Sequence, residues 1–236
     1  MPRLPRFFVP GFPLHIIQRG NDRQPIFGVR ADVRFFRGCL ARAAREHRVA
    51  IHAYVFMTNH VHLLATPSLA TSVPKMMQSI GRVYVKYFNA THCRTGTLWE
   101  GRYKAAIVDD DRYLLTCMRY IELNPVRAQM VPTPDEFPCS SFSANARGTV
   151  DDLVEPHAIY RALGSSPEAR QAAYRQLFRS SIPDSEIRSI RDATQNAWAL
   201  GNAEFRSRIA AMGRRAERQP LGRPRKEARK SRESRV

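Results

Sequence analysis

Two histidines, His60 and His62, have the spacing that first suggests chemistry in this chain. They follow residues 53–57, a run of β-branched and aromatic side chains that is typical of a strand. If the strand continues through Leu64, the alternation of side chains places both imidazoles on one side and Val61 in the core. Two neutral imidazoles placed in this way can share one divalent cation. The same pattern also fits two unrelated histidines near the end of a strand.

Farther along the chain, Tyr120 and Asn124 have the spacing of two neighbours on one face of a helix. Two imidazoles and the Asn124 amide oxygen could hold a hard cation, Mg²⁺ or Mn²⁺, which polarises a phosphodiester. The Tyr120 hydroxyl could then attack phosphorus and store the bond energy in a phosphotyrosine. In the other interpretation, Tyr120 packs in the core and Asn124 caps the helix before Pro125.

The elements that must position these residues follow the order β-α-β-β-α-β-α. The pattern predicts strands over residues 14–19, 51–57, 60–67 and 102–108, and helices from an N-cap at Asp32 through Arg48, over 72–89, and from 109 to a limit at Pro125. Such an order predicts an α+β fold with a split β-α-β core, in which helices pack on an antiparallel sheet.

The second half of the chain has a different character. A connector rich in proline and serine follows residue 131, and helical patterns recur over 156–163, 167–178, 185–199 and 202–212. Residues 213–236 carry ten Lys or Arg against three Glu and no apolar periodicity, so we expect this tail to be disordered when free. The sequence thus predicts a catalytic domain over 1–145, a helical region over 146–212 and a basic tail over 213–236.

The charge of the chain indicates a polyanionic partner. Thirty-eight Lys and Arg against 21 Asp and Glu give a net charge of +17 and a pI near 10.7. The sequence has no apolar run of about eighteen residues, which argues against a membrane and favours nucleic acid. Proline-rich residues 1–13 do not form a signal peptide, and four scattered cysteines predict reduced thiols. We therefore expect a cytoplasmic protein.

Several motifs occur in an order that is typical of one family. They are Gln18-Arg19-Gly20-Asn21, residues 53–64 around the two histidines, Gly96-Thr97-Leu98-Trp99-Glu100-Gly101-Arg102-Tyr103-Lys104, residues 119–128 around Tyr120, and Ser140-Ser141. On these residues the chain resembles the single-tyrosine HUH transposases of bacterial insertion sequences, and more closely the REP-associated tyrosine transposases. The resemblance covers about residues 10 to 145.

The resemblance implies a function and a role for each motif residue. It implies that His60, His62 and Asn124 bind the metal, that Tyr120 is the nucleophile and that the fold is ferredoxin-like. The implied activity is a DNA strand transferase that nicks and rejoins single-stranded or hairpin DNA at palindromic repeats through a 5′-phosphotyrosine. The protein would be bacterial, a monomer or homodimer, and nucleoid-associated when bound to DNA. Glu122 departs from the family, since close relatives usually carry His there. Because it is two residues from Tyr120 on a helix, we expect it to point away from the site.

Basic residues near these motifs and in the tail are the candidate DNA contacts. In the folded part they are Arg19, Arg23, Arg102, Lys104 and Arg127, although a solvated surface charge is the simpler interpretation for at least half of them. In the tail, Gly222-Arg223-Pro224 resembles the core of an AT-hook, so Arg223, Arg225 and Lys226 would enter the minor groove of A·T-rich duplex DNA. A generic basic tail is the other interpretation.

Two other functions remain open for the same residues. A replication or relaxase nickase would use the same centre, but the sequence has no helicase motif and no second paired tyrosine. A sequence-specific DNA-binding regulator, or a domesticated REP-element binding protein without transposition, would not need the four intact site residues. Their presence favours the enzyme.

Overall fold

Strands and helices alternate along the chain in the predicted order. The computed structural model describes residues 8–109 and 113–213. Its elements are β1 (Leu14–Arg19), α1 (Arg30–Glu46), β2 (Val49–Met57), β3 (His60–Pro67), α2 (Ser72–Thr91), β4 (Lys104–Val108), α3 (Leu114–Glu122), α4 (Asn124–Arg127), α5 (Phe142–Arg147), α6 (Ala158–Arg161), α7 (Pro167–Gln176), α8 (Asp184–Asn196), β5 (Ala199–Leu200) and α9 (Ala203–Ala211), with short 3₁₀ turns at Asn21–Arg23, Pro134–Glu136 and Leu177–Arg179.

The sheet has the strand order β2-β3-β1-β4-β5. The first three pairings are antiparallel, as predicted, and they give the split β-α-β arrangement. β5 then adds a parallel strand beside β4, so the sheet is mixed and not purely antiparallel. In the β1–β3 register Ile17 lies opposite His62 and Arg19 opposite His60. The α+β prediction is confirmed.

Alternation along the strands gives the sheet two buried faces. The first face carries Ile16 and Leu63 and is covered by α1 and α2. The second face carries Leu64 and Ala106 and is covered by α3, by α8 and by the helices between them. His60 and His62 follow the second face because Val61 points into the first, as the sequence predicted. Both faces are packed, so the imidazoles of His15 and His62 on the second face lie inside the protein.

Several predicted boundaries are wrong, and each has a local cause. α1 begins at Arg30, so Asp32 is not the N-cap; its carboxylate reaches back to accept the backbone N–H groups of Gly28 at 2.7 Å and Val29 at 2.9 Å. β4 begins at Lys104, which leaves Arg102 in the preceding loop after Gly101, a residue with φ of 64°.

The helix predicted to start at residue 109 is also shorter. α3 covers only Leu114–Glu122, and residues 110 and 111 lie outside the described part. Leu123 interrupts the helix, and Pro125 then takes its favoured place in the first turn of α4.

In the second half, α5 forms within the connector that follows residue 131, where no helix was predicted. α8 ends at Asn196, three residues earlier than predicted, because Ala197 adopts a left-handed φ of 56° and turns the chain into β5. None of the helices in the described part of the chain is long and apolar enough to cross a membrane. The predicted tail contacts Arg223, Arg225 and Lys226 lie outside the described residues.

Candidate active site

β3 brings His60 and His62 to the second face of the sheet at the end nearest the Thr58-Asn59 turn. Their ring centroids are 4.9 Å apart and the rings are nearly perpendicular. His62 is buried, whereas His60 is half-buried at the start of the strand. One imidazole of the pair is therefore enclosed and the other borders solvent, as expected for a site open at one end.

α3 places Tyr120 against this histidine pair. The Tyr120 ring centroid lies 5.9 Å from that of His62 and 5.6 Å from that of His15, in edge contacts. Tyr120 is only 4% exposed. Although Tyr120 is far from these histidines in the sequence, its phenol ring lies beside the buried imidazoles of His62 and His15.

Asn124 is oriented by the proline that follows it. Pro125 has no N–H, so it leaves the Ile121 carbonyl without its usual helical donor. The Asn124 side-chain Nδ2 donates to that carbonyl at 3.2 Å and to the Tyr120 carbonyl at 3.1 Å. Because the amide nitrogen is used in this way, Oδ1 is the atom of Asn124 that is left for a cation.

The turn before β3 orients His60. The Asn59 Nδ2 donates to the Arg23 carbonyl at 3.0 Å, which turns Asn59 Oδ1 toward His60 Nδ1 at 2.7 Å. An amide oxygen only accepts, so the His60 proton lies on Nδ1 and the lone pair lies on Nε2. His60 therefore presents the nitrogen that a metal ion can bind.

Two residues that sequence reasoning missed stand behind His62. His15 is fully buried on β1, and its Nε2 lies 2.8 Å from His62 Nδ1. On its other side, His15 Nδ1 lies 2.8 Å from the hydroxyl oxygen of Thr194 on α8. The signal in the sequence was a polar ring among Leu14, Ile16 and Ile17, in the apolar part of its strand.

Burial keeps these imidazoles neutral. It lowers the pKa of His15 to about 3 and that of His60 to about 4, and the nearby cations Arg127 and Arg19 act in the same direction. The pKa of His62 is also held well below its ordinary value, first by burial and then by the neighbouring His15 and His60 rings. Neutral rings keep the lone pairs that metal binding requires.

Arg127, one of the predicted DNA contacts, packs directly on Tyr120. Its guanidinium carbon lies 4.1 Å from the Tyr120 ring centroid, and Nη2 donates to the Tyr120 carbonyl at 2.9 Å. The other two guanidinium nitrogens, Nε and Nη1, are buried and have no hydrogen-bond partner within residues 8–109 and 113–213. Arg127 is thus a cation beside the phenol with unused donors.

The remaining predicted contacts lie around this centre or away from it. Arg19 is half-buried and lies opposite His60 in the β1–β3 register. Lys104 is exposed at the start of β4 and bonds to Gln195 of α8. Arg23 ends the 3₁₀ turn Asn21–Arg23 and Arg102 lies in the loop before β4, and both are exposed. The structure thus brings Arg19 and Arg127 to the site and leaves Arg23 and Arg102 at the surface.

Glu122 points away from this centre, as its position two residues from Tyr120 predicted. Its carboxylate is fully buried and accepts from Ser141 Oγ at 2.6 Å, Asn145 Nδ2 at 2.9 Å and the Tyr174 hydroxyl at 2.7 Å. Burial raises the pKa of Glu122 to about 7, against the effect of these three donors. Glu122 therefore takes part in the packing of the second half of the chain.

Any cation at this site would depend on a mixed set of ligands. No group of three or more His, Cys, Asp or Glu side chains suited to a metal ion occurs within the described ranges. The two imidazoles and one amide oxygen named above are all neutral. A cation held there would need further oxygen ligands from water or substrate.

Comparisons with known proteins bear on the family and the fold of the chain. Residues 9–124 match the family model described as "Transposase IS200 like". A solved structure of a REP-associated tyrosine transposase bound to a REP hairpin aligns with 66% of this chain and 93% of that chain, at 18% identity and a TM-score of 0.50, a likeness of fold. A structure from Deinococcus radiodurans covers 54% of this chain and 92% of its own at 17% identity, but its TM-score of 0.36 is too low to support a shared fold. No curated protein matches the chain at a significant level.

Proposed function

Because the chain belongs, through residues 9–124, to the IS200-like transposase family, we propose that it is a DNA strand transferase that cuts and rejoins DNA through Tyr120. The observation that carries this proposal is the contact of Tyr120 with the histidine pair. A buried phenol 5.9 Å from the His62 ring, with Arg127 stacked on it, joins a nucleophile to groups that can hold a cation and an anion.

The proposed substrate is single-stranded or hairpin DNA. The structurally similar REP-associated transposase was solved with a REP hairpin, and a net charge of +17 suits a polyanion. At the scissile phosphate, the Tyr120 oxygen forms a bond to phosphorus while the bond to the neighbouring 3′ oxygen breaks. The phenol loses its proton, and the departing oxygen takes one up as a 3′-OH. One ester replaces another, so no nucleotide cofactor is consumed, and attack by a second 3′-OH on the phosphotyrosine reverses the chemistry.

His60, His62 and Asn124 are the residues that would hold a divalent metal ion. Their donor atoms fit this role because protein partners occupy the far side of each group and leave an imidazole nitrogen or an amide oxygen. When bound, Mg²⁺ or Mn²⁺ would polarise the scissile phosphate. Three neutral ligands bind such ions weakly, so phosphate oxygens of the DNA would complete the coordination.

Arg127 is the residue that we expect to receive the scissile phosphate. Its Nε and Nη1 are desolvated without a partner, which is costly unless a ligand supplies acceptors. Phosphate oxygens match the fork of donors on a guanidinium. Arg127 would therefore orient the phosphate against the Tyr120 oxygen that attacks it.

The test is cleavage of a labelled hairpin oligonucleotide in Mg²⁺, followed on a denaturing gel that retains covalent protein–DNA adducts. Tyr120→Phe should retain the fold and hairpin affinity, since only a hydroxyl is lost, yet form no adduct. Tyr87→Phe, on α2 across the sheet, is the matched control and should cut normally. An adduct formed by Tyr120→Phe would exclude Tyr120 as the nucleophile. A wild-type protein that binds the hairpin but never cuts it would be the DNA-binding regulator instead.

A further inference from the structure

A chain of three hydrogen bonds runs from His62 to a helix in the second half of the protein. His62 Nδ1 lies 2.8 Å from His15 Nε2, and His15 Nδ1 lies 2.8 Å from Thr194 Oγ1. Thr194 Oγ1 in turn lies 2.8 Å from the carbonyl oxygen of Ile190, one turn earlier on α8. All three side chains are buried, so protein atoms alone decide where the protons lie.

The direction of these bonds follows from the far end of the chain. The Ile190 carbonyl can only accept, so a 2.8 Å contact with Thr194 Oγ1 requires the hydroxyl proton to lie between the two oxygens. If the hydroxyl pointed to His15 instead, two acceptor oxygens would face each other without a proton. Thr194 must therefore accept the proton of His15 Nδ1.

The same direction of hydrogen-bond donation then applies to each neutral imidazole in turn. With its proton on Nδ1, His15 has a bare Nε2, which accepts from His62 Nδ1–H. His62 is left with a bare Nε2. We infer that Thr194 and His15 are positioning residues that fix the proton of His62 on Nδ1 and free its Nε2 to bind a metal ion.

The second histidine of the pair reaches the same state through a separate partner. Asn59 Oδ1 holds the proton of His60 on Nδ1, as described above. Two independent hydrogen-bond systems thus give both imidazoles the same tautomer, with Nε2 bare. Partners of this kind behind metal-binding histidines fix the ring orientation and raise the basicity of the ligand.

The inference extends the site beyond the family match. Thr194 lies seventy residues past the end of the matched segment, which stops at residue 124. α8 is held against the sheet by the buried side chains of Ile190 and Ala193 and by the Lys104–Gln195 contact. The helix therefore completes the site and is not only an attached segment. This role rests on the proposed function, in which His62 binds the metal.

The tautomer can be measured directly in the metal-free protein. Two-bond ¹H–¹⁵N spectra of ¹⁵N-histidine-labelled wild-type chain should show His62 and His15 protonated on Nδ1. A wild-type His62 with its proton on Nε2 would overturn the inference without any variant being needed. The result does not depend on nuclease activity, so it separates this inference from the proposed function.

Substitutions at Thr194 then test the cause. Thr194→Val keeps the shape but removes the hydroxyl, so His62 should populate both tautomers, and Mn²⁺ affinity measured by electron paramagnetic resonance should fall by about ten- to a hundredfold. Thr194→Ser keeps the hydroxyl and should restore both readouts. A folded Thr194→Val with an unchanged His62 spectrum would contradict the positioning role of Thr194 and His15. A wild-type protein that shows the expected tautomer but binds no Mn²⁺ would support that positioning role and remove the metal from the proposed function.

Discussion

Two polar clusters lie on opposite sides of α3, and they differ in which atoms remain unpaired. Tyr120 faces the histidine cluster, which we define as His15, His60, His62 and Tyr120 itself. Two residues later, Glu122 faces the carboxylate cluster, defined as Glu122, Ser141, Asn145 and Tyr174. Two positions on a helix are separated by more than half a turn, so one short helix serves both clusters.

The carboxylate cluster is closed on itself. Both oxygens of Glu122 accept protein donors, and every donor comes from the second half of the chain. In the histidine cluster, by contrast, the hydrogen bonds use the Nδ1 atoms of His60 and His62 and leave the two Nε2 atoms for a ligand. Beside the cluster, Arg127 packs on Tyr120 and has two buried nitrogens without a partner in the described part of the chain.

This difference predicts a stabilising role for the carboxylate cluster and a binding role for the histidine cluster. A saturated buried network contributes to stability and specificity, whereas buried atoms without partners cost free energy unless a ligand uses them. We therefore expect substitutions in the histidine cluster to remove activity with little effect on stability. Substitutions in networks whose polar atoms are all paired should lower stability and leave activity unchanged.

The largest effect is expected from the metal ligands. His60→Ala should reduce hairpin cleavage in Mg²⁺ by more than about a hundredfold, because even the partners behind metal ligands typically contribute ten- to a hundredfold. The unfolding midpoint should change little, since His60 is half-buried at a strand end. Cleavage rate at saturating DNA and thermal unfolding measure the two effects.

His47→Ala, at the end of α1 on the first face, is the matched control and should cleave normally. Undiminished cleavage by His60→Ala, or by the wild type in excess chelator, would show that the histidine cluster does not act through a metal ion.

The sequence was sufficient for the parts of the site that depend on local spacing. The alternation of His60, Val61 and His62 on one strand predicted that the two imidazoles share a face. The spacing of Tyr120 and Asn124 predicted a single helix, which the structure interrupts at Leu123, so that Asn124 begins α4. The same local rule predicted that Glu122 would point away from Tyr120. These patterns repeat over a few residues, so they can be seen without knowledge of the tertiary structure.

The rest depended on contacts between distant segments. His15 and Thr194 are 179 residues apart, and their hydrogen bond follows from the docking of α8 against the sheet, which a local pattern does not contain. β5 is a dipeptide, too short for any periodicity, and it changes the sheet from antiparallel to mixed. Asp32 was predicted to be the N-cap of α1, but the N-cap is Val29, three residues earlier. From its place in the first turn, the Asp32 carboxylate still accepts backbone N–H groups at this end of the helix, as an N-cap side chain does.

A pH-dependent loss of stability is expected from His52, which resembles the carboxylate cluster in that all its side-chain polar atoms have hydrogen-bond partners. His52 is buried, its Nδ1 donates to the Glu155 carbonyl at 2.6 Å, and its Nε2 accepts from the Thr66 hydroxyl at 2.8 Å. Burial lowers the pKa of His52 from 6.5 to about 4. Because the folded pKa is depressed, the contribution to stability is complete above pH 6.5 and is lost as the pH falls toward 4. The loss should approach about 3 kcal/mol near pH 4.

Urea unfolding of the wild type and of His52→Gln over this pH range isolates the contribution, since other buried histidines titrate in both proteins. The free energy of unfolding of the wild type should fall more steeply than that of the variant. Parallel curves would mean that His52 is not held neutral by the fold.

The smallest effect is expected from single hydroxyl groups, and it compares the carboxylate cluster with a neutral neighbour. Tyr174→Phe removes a buried donor to Glu122 and should lower the free energy of unfolding by about 1.5–3 kcal/mol, the range for hydrogen bonds to charged groups. Tyr160→Phe removes a bond to the neutral Asn145 carbonyl and should cost only about 0.5–1.5 kcal/mol. Urea unfolding at pH 8.5, above the raised pKa of Glu122, measures both. Each variant should cleave a hairpin at the wild-type rate once saturated, because neither hydroxyl reaches the histidine cluster. A loss of cleavage in Tyr174→Phe without a loss of stability would show that the two sides of α3 are coupled, and the division between a stabilising and a binding cluster would then be wrong.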